Sequence, residues 1–280
     1  MAKDSVLNIF EQFRDDIDQG NDRRERLIKV TLSPNSTTAR VIQINHKASR
    51  DVTNISKKTI FLLHRIVLED SPDDHALALR AASSARGRLS EANAIFAGMR
   101  PELVGDRFWR YQRQVSPGLQ EYIEALSFAH YVEYGSLISY QQVQDALCDA
   151  DGPFFPLTIS DFLLGLSDLT GELMRFAISN IARRGGRPKA SQVCAFVRGC
   201  KSDFERLTPY VRDLSKKQAV TANSLEKIEA AAYAVAVRGS EYDLPPEMLD
   251  DLVAQTTAKF NMADGRRERD EGYIESHHGE

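Results

Sequence analysis

Three cysteines, Cys148, Cys194 and Cys200, with no CxxC spacing among them, point to neither a disulfide framework nor a zinc cage. They read as reduced thiols that serve as small buried hydrophobes. No stretch reaches the unbroken apolar length that crosses a bilayer, so no membrane partner is expected. The opening MAKDSVLNIFEQF carries acids and lacks the apolar core and cleavage site of a secretory signal, which predicts a protein kept inside the cell. A surplus of positive charge is missing too. With a formal net charge of −4 the chain does not coat nucleic acid with its whole surface, so any such site is local or shared with a partner. Basic residues cluster only locally, at Arg23, Arg24 and Arg26, at Lys57, Lys58 and Arg65, and at Arg183, Arg184, Arg187 and Lys189. Each cluster alone is more commonly a solvated face than a ligand site. The six histidines show no HExxH or similar metal spacing, and GxSxG, P-loop and dinucleotide fingerprints are all absent.

What is present is helical periodicity. The 280 residues, 42% hydrophobic and 27% charged, fit one large soluble domain with ragged ends. Apolar residues recur at helical spacing almost throughout and alternating runs are scarce, which predicts an all-α fold. A first amphipathic helix is expected over 4–29. Pro34 and the Ser, Thr and Asn cluster around it break the pattern before a helix over 49–68. SPDD at 71–74 caps a restart that reaches about Met99, ahead of Pro101. From 102 to 147 the pattern predicts one long helix or a pair broken at Ser116, Pro117 and Gly118, followed by a loop over 149–156. Thr158 and Asp161 form a capping box that opens a helix to about Ala182. A turn at RRGGRP, helices near 189–206 and 222–238, and a short one after Pro246 complete the domain, taken as 1–262. The polar segment 263–280 is expected to be disordered, and no solenoid repeat is present.

Chemistry concentrates on two of these helices. Leu119, Tyr122, Ile123, Leu126 and His130 form a core stripe, with Glu121 and Glu124 on the opposite side beside Phe128. Acids three apart repel, so a helix gains nothing from them unless a cation or base lies near. In the later helix Phe162, Leu166, Leu169, Leu173 and Phe176 form the core stripe, flanked by Asp161, Gly165, Asp168, Glu172 and Arg175. Gly165 allows close approach of another backbone or a ligand. If the two helices lie antiparallel, Glu121 and Glu124 face Asp168 and Glu172. Four carboxylates of this kind suit magnesium or manganese, which serve phosphodiester hydrolysis. Spacing alone leaves solvated or salt-bridged acids as the commoner outcome.

RRERL (23–27), SRDVT (49–53), SKKTIFLLHRI (56–66), GLQEYIEALSF (118–128), SLIS (136–139), DFLLGLSDLTGELMR (161–175) and VRGSE (237–241) resemble the translin-associated factor X family, in the family's order and across most of the chain. The resemblance implies the translin fold, a bundle of about seven helices that associates into closed, hollow assemblies. It further implies a magnesium-dependent endoribonuclease for single-stranded RNA, active with a translin partner in the cytoplasm and nucleus. Silencing passenger strands and transfer-RNA fragments are both compatible substrates. The family's catalytic acids fall in its QEYxEA and DLTGEL motifs, which places them at Glu121, Glu124, Asp168 and Glu172 here. The chain departs from the family at Thr31 to Ala48, eighteen residues between RRERL and SRDVT. They are expected to bulge as a loop, or to be a translated intron. A translin partner is expected to supply much of the basic surface. Arg175, Arg23, Arg24 and Arg26 are this chain's candidate RNA contacts, with an ion pair to Glu172 or Asp168 the alternative for Arg175. A non-catalytic scaffolding or RNA-binding subunit is the competing reading.

Overall fold

The computed structural model describes residues 37–241 except 70, 72 and 182–185, together with the isolated positions 248, 251 and 255. The helix expected over 4–29 and the 263–280 tail lie outside the described residues, as does nearly all of the segment after Pro246. Seven α-helices, one 3₁₀ turn and one two-residue-per-strand hairpin make up the described chain, as the all-α expectation of about seven helices has it. Among the described residues no helix is long and apolar enough to cross a membrane.

Helix α1 spans Thr37–Val67 without interruption. The loop expected over Thr31 to Ala48 is therefore helix from Thr37 onward. Its cause is a buried stripe, Val41, Asn45, Ser49, Val52, Ser56 and Ile60, whose three- and four-residue spacing runs unbroken across position 48. Helix α2, Asp74–Leu103, starts at Asp73, whose side chain accepts from the His75 and Ala76 amides at 3.0 Å. It carries Pro101 in its last turn rather than ending before it.

Helix α3, Arg107–Tyr134, passes through Pro117 in one piece. Proline removes a helical hydrogen bond, and next to it a neighbouring helix bonds the backbone of α3 directly. Ser49 Oγ accepts the Gly118 amide at 2.9 Å and donates to the Val115 carbonyl at 3.4 Å. A Cβ on Gly118 would stand 2.6 Å from the Ser49 carbonyl oxygen, so only glycine lets α1 approach this closely. The helix stops at Gly135, left-handed at φ 67°, short of the 147 expected. A short helix α4, Tyr140–Ala146, follows behind a Ser139/Gln142 capping box. The expected loop then contains a hairpin of β1, Cys148–Asp149, and β2, Gly152–Pro153, that drives Phe155 against Phe96 and Phe108 at 5.2 and 5.7 Å.

Helix α5 covers Ile159–Ile181, α6 Gly186–Leu207, and α7 Leu214–Glu241 after a 3₁₀ turn at Thr208–Tyr210. Helix α7 begins eight residues before the expected 222. Its packing shows how the bundle is arranged. Ser49 meets Gly118 and His64 meets Phe128, so α1 and α3 run parallel. Gly165 abuts Gln120 and Phe176 meets Phe128, so α3 and α5 also run parallel, correcting the antiparallel expectation. Asp168 meets Lys217 and Thr170 meets Thr221, so α7 continues the same direction. Each return is made by an intervening segment: α2, then α4 with the hairpin, then α6. Four parallel helices thus stand side by side in the order α1, α3, α5, α7.

Candidate functional site

Parallel packing sets equivalent levels of the four helices beside one another. At one such level Glu121 and Glu124 from α3 and Asp168 and Glu172 from α5 line a single cleft of about 430 Å³. Helix α1 adds Lys57, Ile60 and Phe61 to its wall, α5 adds Gly171 and Arg175, and α7 adds Lys217. The expected meeting of the acid pairs occurs, although the helices carrying them run in the same direction.

The close spacing of α3 and α5 follows from Gly165 and Asp161. A Cβ at Gly165 would lie 2.8 Å from both the Gln120 carbonyl oxygen and Ile123 Cβ. Asp161, 2% exposed, accepts hydrogen bonds from Gln120 Nε2 at 2.9 Å and Thr158 Oγ1 at 2.7 Å, while Thr158 Oγ1 caps the Asp161 amide at 3.1 Å. Of the capping box expected from sequence the structure has the half in which Thr158 Oγ1 accepts the Asp161 amide, while the Asp161 carboxylate turns to Gln120 and ties the two helices. Phe128 is not on an outer face with the acids. It is fully buried, with ring centroids 4.7 Å from His64 and 6.2 Å from Phe176, because α3 is flanked by α1 on one side and α5 on the other.

Three of the acids have basic partners. Asp168 takes Lys217 Nζ on both oxygens at 2.6 and 2.7 Å. Glu172 accepts from His64 Nε2 at 2.6 Å and Arg175 Nη1 at 3.2 Å, and Glu121 pairs with Lys57 at 3.2 Å. Glu124 forms no ion pair among the described residues. Burial first, then the charges of Asp168, Glu172 and Glu121, push its carboxyl up to about 8, against the pull of Lys217. Burial also raises Asp168, opposed by its bond to Lys217. Among the described residues no three ligand-type side chains already converge on one point. The donor set nonetheless fits a hard cation: all four groups offer oxygen, and the one without a counter-ion is the one most disfavoured as an anion.

Arg175 forms the ion pair with Glu172 and keeps half its side chain exposed at the cleft, so the structure joins it to the acids. Arg23, Arg24 and Arg26 lie outside the described residues. Of the 183–189 cluster only the Lys189 side chain is described, and it sits away from the cleft beside Asp74 at 3.6 Å. Sequence reasoning named Lys57 only as part of a basic cluster, and did not single out Phe61, His64 or Lys217 as site residues. Lys57, Phe61 and His64 carried a usable signal, since their spacing puts them on one face of α1. Lys217 carried none, because its helix was expected to begin after it.

The raised Glu124 carboxyl makes stability depend on pH. The folded chain keeps that proton up to about 8 while the unfolded carboxyl loses it near 4.5, so the native state binds more protons between the two. The stability this gives is fully present below the lower value and is lost as pH rises through the upper one, by on the order of a few kcal/mol. Metal-free Glu124→Gln is expected to melt like wild type at about pH 4, where both side chains are neutral, and well above it at about pH 9, with magnesium narrowing the gap. Equal melting of the two proteins at both pH values would show that Glu124 is not under this strain.

The described residues thus define an all-helical bundle with a four-carboxylate cleft among parallel helices. The Translin family profile matches residues 40–239, and the chain belongs to the translin family. It is 33% identical to the translin-associated protein X of Rattus norvegicus, over 92% of this chain and 87% of that protein. To the translin of Mus musculus it is 21% identical, over 84% of this chain and 94% of that protein. A solved complex of AfC3PO with duplex RNA shares the fold at TM-score 0.55 and 18% identity, over 79% of this chain and 97% of that one. The profile begins at residue 40, so most of helix α1, including 40–48, is part of the family domain.

Proposed function

We propose that the chain is the catalytic subunit of a magnesium-dependent endoribonuclease that cuts single-stranded RNA, assembled with a translin-like partner. One observation supports this above the others: the acids of two separate motifs meet in one cleft, where Glu124 has no counter-ion among the described residues. Glu121, Glu124, Asp168 and Glu172 would hold magnesium or manganese. Such an ion, when bound, supplies an activated water and neutralises charge building on the phosphate and leaving oxygen. The protein's own groups prepare the site. His64 fixes the carboxylate plane of Glu172, and Asp161 with its glutamine partner Gln120 fixes the register of α3 against α5. Arg175, half exposed at the rim, can meet a substrate phosphate. The partner is inferred from similarity to translin-associated protein X and from the net charge of −4, which leaves basic surface to be supplied by another subunit.

A non-catalytic scaffold is the alternative, favoured by the ion pairs that engage Asp168, Glu172 and Glu121. The two are separated by cleavage of a labelled single strand and of a blunt duplex by the co-purified complex, with magnesium and with chelator. Enzyme function predicts cutting of the single strand only when magnesium is present, and much slower cutting of the stiffer duplex. No cutting, or equal cutting of both with chelator present, would contradict it.

A further inference from the structure

Phe61 lies in the wall of the acidic cleft with 66% of its surface exposed, while Ile60 and Leu63 beside it on α1 are 4% and 0% exposed. Single exposed apolar residues are common on protein surfaces. The surroundings of this one are not. The same cleft wall carries two half-exposed cations, Lys57 and Arg175, next to the four carboxylates. An aromatic face beside positive charges is the arrangement that binds single-stranded nucleic acid, the base stacking on the ring and the backbone phosphates meeting the cations. Paired bases are already stacked and enclosed in a duplex, so they cannot reach such a ring without unpairing. A cleft of about 430 Å³ is in the range that receives a small ligand, and so has room for a nucleotide but not for a helix.

We propose that Phe61 is the stacking platform of the site: it takes one unpaired base of the RNA strand and so brings the adjoining phosphate to the carboxylates. The inference rests on the ribonuclease reading and gives it a physical basis for strand selectivity. Phe61 is a positioning residue, since it holds the substrate and takes no part in the bond cleavage.

The test uses the complex with its translin-like partner, carrying wild type, F61A, F61L or F61W. Binding is read in chelator from the fluorescence of a short single-stranded RNA containing one 2-aminopurine, whose emission falls when it stacks. F61A and F61L are expected to bind about ten-fold more weakly and to lose the quenching, while F61W retains both. In magnesium the KM of F61A and F61L rises by a similar factor with kcat little changed, and the mass of the complex stays that of wild type. Leucine keeps bulk and apolarity without a ring face, so it separates stacking from subunit packing. F61L that binds and quenches like wild type would overturn the proposal, as would F61A that dissociates the complex while F61L restores it. A wild-type complex that binds RNA without cutting it would contradict the ribonuclease reading, while the binding series would still decide the role of Phe61.

Discussion

Glu124→Gln in the assembled complex is expected to lower RNA cleavage by a factor on the order of a hundred or more while the complex stays intact. The substitution keeps the size and hydrogen-bonding capacity of the side chain and removes only its charge. In the metal-free protein that charge is a burden, because burial and three neighbouring acids already hold the carboxyl up to about 8. Removing it should therefore not weaken the fold. A cation, however, is attracted by the very crowding that disfavours the bare carboxylate, so the neutral variant loses what the crowding provides. Asp168→Asn should be as inactive, with a different side effect: it takes away the carboxylate that holds Lys217 at 2.6 Å and leaves a partly buried ammonium unpaired. Glu124→Gln is thus the cleaner of the two. Cleavage of a labelled single strand, run beside thermal melting and mass measurement, checks both. Near-normal cleavage in intact variants would exclude the carboxylates from catalysis and favour the scaffold.

Gly165→Ala is expected to damage stability and cleavage together. The added Cβ would stand 2.8 Å from a backbone oxygen of α3 and 2.8 Å from Ile123 Cβ, and neither atom belongs to the movable end of a side chain. The helices must separate, at a cost of about 1–3 kcal/mol and a fall in Tm of about 5 °C. Asp168 lies one turn beyond Gly165, and Glu121 directly follows Gln120, so any separation widens the distance between the acid pairs. Gly98→Ala is the control. Gly98 lies within α2, and a Cβ added there would meet nothing inside 4 Å, so alanine should leave Tm unchanged or raise it slightly through helix propensity. Circular dichroism melts and the same cleavage assay report both effects. Gly165→Ala that melts and cuts like wild type would show that the close approach of α3 and α5 is not required.

Much of this arrangement was legible in the sequence. The stripes Leu119, Tyr122, Ile123 and Leu166, Leu169, Leu173 predicted buried helix faces, and all six residues are buried. The motifs that resemble the family also picked out the four acids that line the cleft. The losses have definite causes. Asn45 and Ser49 are polar members of the buried stripe of α1, so apolar periodicity alone broke off where the helix continues. Gln218 and Thr221 do the same at the start of α7, which hid Lys217. Helix direction was out of reach because it depends on the return path through α4 and the hairpin. The expected antiparallel pair would still have brought acids together, since both motifs lie near the middle of their helices. Phe128 was misplaced because α3 is covered on two sides, which a single stripe does not reveal.

Catalysis of this kind requires the four carboxylates to hold a divalent cation. Titration of the assembled complex with Mn²⁺, followed by loss of the free-ion paramagnetic resonance signal, tests this most directly. Wild type is expected to take up manganese that magnesium displaces, and Glu124→Gln and Asp168→Asn complexes of unchanged mass should lose that uptake. Uptake that is the same in wild type and both variants would place the cation elsewhere and contradict the carboxylate site.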